Sequence, residues 1–176
     1  MDLSKIQCLT IRYDGMSNVI ACMVDISFPE SLLTIGEITK KDSCAAIWDT
    51  GATNSAITEL EAKKLNLVPT GIKNVSGLGG TIPKNTYLID ILLKPANILI
   101  RDLSVTELDN PVNELGVKTE QFGILIGMDI IARGDFCITH TGNKTMMSFR
   151  IPSIVETDYV AEWNRRKAVE NKYKRK

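Results

Sequence analysis

Apolar residues in this chain recur mainly at alternate positions or in short unbroken runs, a pattern typical of β-strands. Residues 5–13 (KIQCLTIRY) and 18–28 (NVIACMVDISF) predict two strands, and the turn residues between them predict that the two strands form a hairpin. Residues 31–39 (SLLTIGEIT) predict another short strand. The compact apolar run at 44–48 (CAAIW) predicts a buried strand.

A helical period replaces this pattern only in short segments. A helix is predicted from about Glu59 to Leu65, because Thr58 followed by Glu61 is a capping-box sequence. Two or three long apolar strands follow it and are broken by the turn KPAN at 94–97. A late hairpin is predicted to turn at TGNK, 141–144.

Roughly a dozen short strands and two or three short helices make a mainly β fold. A length of 176 residues suits one domain with a sizeable core. We predict that this domain spans 1–154 and that a basic C-terminal helix or tail follows at 155–176, with Thr157 or Asp158 as its N-cap. Seven Lys or Arg against two Glu lie in 160–176, which indicates a solvated helix end or, alternatively, docking to an acidic partner, nucleic acid or a membrane surface.

Charge and cysteine content narrow the range of functions. The formal net charge is zero, so the whole molecule has no field that favours nucleic acid. Four widely spaced cysteines and one histidine, His140, do not match the ligand spacings of common zinc sites, and neither a metal nor an organic cofactor is expected. No signal peptide is recognisable and no run approaches the ~18 apolar residues of a membrane span. We expect a cytoplasmic protein with reduced, buried cysteines.

The stretch CAAIWDTGATNSAIT, 44–58, carries a carboxylate, Asp49, at the end of an apolar strand and beside Gly51 and Ala52. A carboxylate that leaves water costs free energy unless it is paired or hydrogen-bonded. Two interpretations therefore remain open. The stretch is either an Asx-type turn that closes a strand, or a loop in which small side chains leave room for another molecule to approach the carboxylate.

Three segments occur in an order that is familiar from one protein family. AAIWDTGATNSAIT (45–58) resembles the active-site loop of retropepsins, the single-domain aspartic proteases of retroviral type. VSGLGGT (75–81) is glycine-rich like the tip of the family's flap, and GILIGMD (123–129) is similar to the apolar segment that passes behind the catalytic loop. The wording GMDII with a nearby GDF is similar to the bacterial single-domain group. The resemblance implies a closed, mainly β barrel with a flap hairpin and short helices.

The resemblance also implies an aspartic endopeptidase with the catalytic motif Asp49-Thr50-Gly51. Carboxylate-catalysed peptide hydrolysis needs one ionised carboxyl to take a proton from water and one protonated carboxyl to polarise the scissile carbonyl. The chain contains a single D-[ST]-G motif, so we predict a homodimer in which each subunit contributes one Asp49 on a two-fold axis. In the family, the hydroxyl at the Thr50 position hydrogen-bonds across the dimer and amides near Gly51 hold the carboxylates coplanar.

A polypeptide substrate is expected to lie between the flap and the catalytic loop. The residues predicted to bind it are Ala52, Thr53, Gly77, Leu78, Gly79, Gly80, Ile124 and Ile126. Viral retropepsins usually have Asp at the Thr53 position, and a hydroxyl there can hydrogen-bond but cannot form the same ion pair. Through the resemblance, Gly127 lets the chain pass close to the catalytic loop, and Asp129 is a structural hydrogen-bonding residue rather than a second catalytic acid.

Two simpler interpretations stand beside these predictions. The glycines at 77–80 also suit a hairpin turn that contacts no ligand. Because fold does not establish activity, the alternative function is a retropepsin-fold module that binds peptides or mediates assembly with little or no proteolysis. The complete D-T-G favours catalysis, since a pure binder has no need of a costly carboxylate pair.

Overall fold

The computed structural model describes residues 3–36, 39–77, 80–111 and 121–174. Within these residues the strands are β1 (Gln7–Arg12), β2 (Ala21–Ser27), β3 (Lys41–Trp48), β4 (Ala56–Thr58), β5 (Gly71–Gly77), β6 (Gly80–Leu93), β7 (Ile98–Leu108), β8 (Ile124–Ile126), β9 (Asp135–Thr141) and β10 (Lys144–Ile151). The α-helices are α1 (Glu59–Lys64), α2 (Met128–Ile131) and α3 (Tyr159–Lys174). Strands therefore dominate, which confirms the predicted mainly β class.

Six strands form a closed barrel in the order β2-β3-β8-β4-β7-β6, and the ring closes because β2 also pairs with β6. The β3–β8 and β4–β7 pairs are parallel, whereas the other pairs in the ring are antiparallel. β5 pairs with β6 and extends the sheet as a long hairpin. Closure removes the free edges of the six-stranded ring and confirms the predicted barrel with a hairpin.

The hydrophobic core fills the barrel and follows from alternation along its strands. In β2, for example, Cys22, Val24 and Ile26 are buried while Met23 between them is exposed. The largest wholly buried side chains of the barrel strands are Ile26, Ile57, Ile89, Ile91, Leu93, Ile98, Ile124 and Ile126. Each contributes about 1.5–3 kcal/mol of burial free energy, so the β-branched residues that favour strands also supply most of the barrel core.

A second sheet, in the order β1-β10-β9, packs beside the barrel. The predicted hairpin of the first two strands is therefore wrong: β1 pairs with β10, with Leu9 opposite Phe149. Local turn residues cannot decide this pairing, because the apolar partner that buries Leu9 lies near the other end of the chain. Trp48 joins the two sheets, with its ring centroid 5.1 Å from that of Phe149 and 5.6 Å from that of Phe136.

The strand predicted at 31–39 is wrong over the residues that the structure describes there. The chain forms a 3₁₀ turn at Glu30–Leu32 and then an irregular segment. Leu32 is 51% exposed and Ile35 is fully exposed, so the apolar residues of this segment have no buried face that would favour a strand.

Both predicted turns between later strands are confirmed. β9 and β10 are joined by Gly142 and Asn143, whose φ angles of 62° and 58° suit a two-residue hairpin turn. The KPAN segment forms a 3₁₀ turn that ends at Asn97 with φ 52°, a left-handed conformation that Asn tolerates. Residues 109–121, whose polar sequence with Pro and Gly predicts a loop, lie mostly outside the described residues.

Helix α1 begins where its capping sequence predicts. The Thr58 side chain accepts a hydrogen bond of 3.3 Å from the backbone amide of Glu61. The reciprocal half of the capping box does not form, because the Thr58 amide donates to the carbonyl of Gly123. The Glu61 side chain is instead buried, at 3% exposure, and its Oε1 atom has no hydrogen-bond partner among the described residues.

Helix α3 is confirmed, and Asp158 is its N-cap, since Asp158 Oδ1 accepts hydrogen bonds from the amides of Val160 and Ala161. The helix lies on the surface, with Val160 71% and Trp163 58% exposed. No helix among the described residues combines the length and apolar character needed to cross a bilayer.

The expectation that all four cysteines are buried is only partly correct. All four are free thiols, and Cys22 is buried. Cys44 and Cys137 are half-buried, whereas Cys8 is exposed. Cys8 lies near the start of β1, on the outer sheet, and therefore does not reach the barrel core.

Burial of Glu61 predicts a measurable dependence of stability on pH. Desolvation, followed by the hydrogen bond and charge of Asp42, raises the pKa of Glu61 from 4.5 to about 7, although Lys64 partly opposes the shift. The folded state therefore binds more protons than the unfolded state between these values, so this group's stabilisation is full below about pH 4.5 and is lost as the pH rises towards 7. The native chain should therefore lose free energy of unfolding between pH 5 and pH 8 through this group, whereas Glu61→Gln should not. We expect the free energy of unfolding of Glu61→Gln, relative to that of the native chain, to rise by about 1–3 kcal/mol over this range.

Urea unfolding of both proteins at pH 5 and pH 8 measures this double difference. Glu156→Gln is the matched control, because Glu156 is exposed. Equal pH responses for the native chain and Glu61→Gln would contradict the assignment of a protonated, buried Glu61.

Candidate active site

The Asp49 backbone is fixed by the strand order of the barrel. Asp49 directly follows β3, which runs parallel to β8. The Asp49 amide donates to the carbonyl of Ile126 at 2.9 Å, and the Trp48 amide donates to the carbonyl of Ile20 at 2.8 Å. These hydrogen bonds at the end of β3 place Asp49 at the end of the barrel, where it is half-buried. Trp48 is a core residue.

The D-T-G segment folds back on its own carboxylate. The Gly51 amide donates to Asp49 Oδ1 at 2.8 Å, and the Ala52 amide donates to the Asp49 carbonyl at 3.3 Å. This is the local geometry of an Asx-type turn. Among the described residues no donor contacts Asp49 Oδ2, so one carboxylate oxygen remains available to a water or a second carboxyl group. Thr50 and Gly51 are exposed.

A second segment holds the loop from behind. The Met128 amide donates to the carbonyl of Ala52 at 2.8 Å, and the Gly127 amide donates to Ser55 Oγ at 3.0 Å. Ser55 is wholly buried and gives its amide and its hydroxyl to the two carboxylate oxygens of Asp129, at 2.9 and 2.7 Å. Asp129 therefore has the structural role predicted from the sequence, and Ser55 is the partner that the sequence did not single out.

Gly127 is required by space rather than by backbone conformation. Its φ of −96° is open to any residue. A Cβ atom at this position would lie 2.6 Å from the carbonyl carbon of Asn54 and 2.9 Å from the carbonyl oxygen of Ala52. The predicted close passage of Gly127 behind the loop is present in the structure.

A cleft of about 450 Å³ opens beside the loop. It is lined by Gly51, Ala52, Thr53, Asn54, Ala56, Lys73, Asn74, Val75, Ser76, Thr106, Glu107, Leu108 and Leu125. Ala52 and Thr53, two of the residues predicted to bind substrate, line this cleft. Ile124 and Ile126 do not, since both are wholly buried in the core. Successive side chains of β8 alternate between its two faces, so Leu125 faces the cleft.

The β5–β6 hairpin forms one wall of the cleft. Gly77 pairs with Gly80 at the end of the ladder, and Gly80 has φ 104°, a conformation that favours glycine. Leu78 and Gly79, the predicted tip, lie outside the described residues. Lower on the hairpin, Lys73 Nζ donates to Asn54 Oδ1 at 2.7 Å, which connects this wall to the D-T-G loop.

The carboxylate of Glu107 also lines the cleft. Glu107 Oε2 accepts hydrogen bonds from the Tyr87 hydroxyl at 2.5 Å and from Asn85 Nδ2 at 3.1 Å. Burial and the bond to this carboxylate raise the pKa of Tyr87 to about 12. His140 is exposed on β9, where it contacts Thr145, and does not line the cleft. The described residues contain no cluster of three or more His, Cys, Asp or Glu side chains suited to a metal.

Close packing around Gly127 predicts that one added methyl group at this position destabilises the fold. Gly127→Ala places a Cβ against the backbone of Asn54 and Ala52, and neither can move without shifting the loop. We expect a loss of about 2 kcal/mol or more in the free energy of unfolding, measured by urea denaturation.

Gly15→Ala is the matched control. No atom lies within 4 Å of its added Cβ, so we expect a change within about 0.5 kcal/mol. Equal unfolding midpoints for the two variants would rule out the tight contact at Gly127.

Comparison with known proteins identifies a family. The sequence profile of a family described as aspartyl protease matches residues 34–130, which is more than half of the chain. No curated protein matches the sequence significantly. Among solved structures, a retropepsin-like aspartic protease from Rickettsia conorii is similar over 85% of this chain and 98% of its own, with 12% identity and a TM-score of 0.44. On the strength of the profile match across the D-T-G loop and the segment that holds it, the chain belongs to the aspartyl protease family.

Proposed function

We propose that the protein is a homodimeric aspartic endopeptidase of retropepsin type, in which two Asp49 carboxyl groups activate one water molecule. One observation carries the proposal: Asp49 Oδ1 accepts a hydrogen bond from Gly51, which lines a cleft of about 450 Å³, while Oδ2 has no donor among the described residues. A carboxylate held in this way is oriented without being neutralised, as a general base requires.

The second carboxyl group must come from another copy of the chain. Asp129 contacts the D-T-G loop, but both of its carboxylate oxygens accept hydrogen bonds from Ser55. The sequence contains one D-T-G motif. Two-fold pairing of the loops would bring two Asp49 side chains together, and the exposed Gly51 leaves room for that approach.

The proposed reaction is general acid–base hydrolysis of a peptide bond. Two carboxyl groups a few ångströms apart share one proton, because both cannot ionise together. The ionised Asp49 takes a proton from the bound water as the water oxygen attacks the scissile carbonyl, and the protonated Asp49 hydrogen-bonds the carbonyl oxygen. The Asp49 that accepted the water's proton then donates it to the amide nitrogen, the C–N bond breaks, and the two peptide products leave.

The proposed substrate is an extended polypeptide that lies between the β5–β6 hairpin and the D-T-G loop. Such a peptide would form backbone hydrogen bonds like an added strand, with alternate side chains in the cleft. Val75, Leu108 and Leu125 would supply apolar contacts, and Thr53 a hydroxyl in place of the Asp that viral relatives carry. Gly77 to Gly80 would form the flap over the substrate.

The division of the chain and its compartment form part of the same proposal. Residues 1–154 would be the protease domain, and 155–176 a basic helix that is not needed to build the active site. The surface position of α3 supports this division. The four free thiols support a reducing compartment, the cytoplasm.

Asp49→Asn tests the catalytic role directly. The Asn side chain keeps an oxygen for the Gly51 amide but cannot accept a proton from water, so the loop should remain folded while cleavage falls by about 10²–10⁴-fold or more. Digestion of a proteome-derived peptide library, read by mass spectrometry, measures cleavage. Asp109→Asn, an exposed carboxylate that pairs with Lys84, is the control.

The dimer is tested by mixing subunits. If each active site needs one Asp49 from each chain, excess Asp49→Asn should suppress the activity of the native chain by exchange into mixed dimers. Sedimentation of both proteins should show the same dimer. An active monomer, or Asp49→Asn that cleaves at the native rate, would contradict the proposal.

A further inference from the structure

Lys73 introduces a positive charge into the cleft. It lies on β5, three residues into the hairpin wall, and its ammonium group donates to the neutral amide oxygen of Asn54 at 2.7 Å. Among the described residues no carboxylate lies within ion-pair distance of Lys73. This separates it from Lys84, its cross-strand neighbour, whose ammonium group pairs with Asp109 at 2.5 Å.

Glu107, an acidic residue that lines the same cleft, forms no ion pair with Lys73. Glu107 lies on β7, and its Oε2 atom is directed to the Tyr87 hydroxyl and the Asn85 amide, which both belong to β6. The D-T-G loop supplies only neutral side chains where it borders the cleft, namely Ala52, Thr53 and Asn54. The ammonium group of Lys73 therefore has one neutral partner and two remaining N–H donors.

We infer that Lys73 selects substrates with an acidic side chain at a position next to the scissile bond, an inference that rests on the proposed peptide-binding function of the cleft. A Glu or Asp side chain of the substrate would replace or share the contact with Asn54 and supply the carboxylate partner that Lys73 lacks among the described residues. The ion pair would be covered by the hairpin and the peptide, which reduces its screening by solvent compared with an open surface pair.

Two-fold symmetry extends the inference to both ends of the substrate. Each subunit would contribute one Lys73, so a homodimer has two such positions related by the axis through the Asp49 pair. A peptide runs in one direction through this symmetric site. We therefore expect a preference for acidic side chains on both sides of the cleaved bond, with unequal strength on the two sides.

A purely structural role for the Lys73–Asn54 contact makes a different prediction. A latch between hairpin and loop would be lost in any substitution of Lys73, and all peptides would then bind less well by a similar factor. Selection by charge is specific to the peptide: reversing the sign of residue 73 reverses the order of the ligands. The test therefore compares ligands within each variant rather than variants alone.

The experiment measures binding on the full-length Asp49→Asn protein, so that no peptide is consumed. Fluorescein-labelled apolar octapeptides carry Glu, Gln or Lys at each position flanking the central bond, and anisotropy gives their dissociation constants. We expect the best Glu peptide to bind about three- to fivefold more tightly than its Gln counterpart, with the Lys peptide weakest. Raising the salt concentration to 1 M should reduce this ratio.

Three substitutions in the same background separate the roles. Lys73→Met should remove the discrimination between Glu and Gln, and Lys73→Glu should make the Lys peptide the tightest ligand. Lys144→Glu is the matched control: it changes the net charge equally at an exposed turn that pairs with Asp14, away from the cleft. It should leave the order of the peptides unchanged.

Each outcome decides the inference. A Glu preference that inverts in Lys73→Glu supports it, whether or not the native enzyme cleaves these peptides. Binding without a Glu preference, or with one that persists in Lys73→Glu, overturns it and leaves the proposed protease function standing. Cleavage that fails while the Glu preference inverts overturns only the proposed catalysis. Absence of binding by every peptide overturns both.

Discussion

The contact between the D-T-G loop and the segment 126–129 is the constraint on which the site depends. Five hydrogen bonds join the two segments through backbone groups, the Ser55 hydroxyl and the Asp129 carboxylate. Gly127 permits this approach because it has no Cβ to meet the backbone of Asn54. A buried hydroxyl and a buried amide are both satisfied by one carboxylate, which removes the desolvation cost that either would carry alone. The loop is thus held from the core side, and its other side is left for a ligand.

This arrangement explains how one chain presents an unneutralised carboxylate. The two acidic residues at this contact, Asp49 and Asp129, have different environments. Asp129 satisfies Ser55 with both oxygens, whereas Asp49 uses one oxygen for the Gly51 amide. The structure therefore gives Asp129 a structural role and leaves one oxygen of Asp49 without a donor among the described residues. Among the described residues no other carboxyl group contacts Asp49, and this is the physical reason for proposing that a second copy of the chain supplies one.

Sequence patterns predicted the parts of the fold that depend on local chemistry. The Thr58 cap, the Gly142–Asn143 turn and the strand that carries Asp49 follow from neighbouring residues. The pairing of β1 with β10 did not, because the turn residues after β1 suit a hairpin and the true partner lies at the far end of the chain. Ile124 and Ile126 were misplaced for a related reason: every residue of β8 is apolar, so no polar position marks which face meets the cleft. The Lys73–Asn54 contact joins a hairpin to a loop and leaves no motif in the sequence.

The neutral side chains after Gly51 determine which partner the Lys73 ammonium group on the hairpin finds within the protein. A loop with Asp at the Thr53 or Asn54 position would offer Lys73 an ion pair within the protein. That ion pair would hold the hairpin and the loop together. With Thr and Asn at these positions, the same lysine receives only an amide oxygen, which is a weaker partner than a carboxylate. The stronger partner is left to the ligand. Because Thr53 and Asn54 are uncharged, Lys73 would remain able, on our proposal, to pair with an acidic side chain of the ligand.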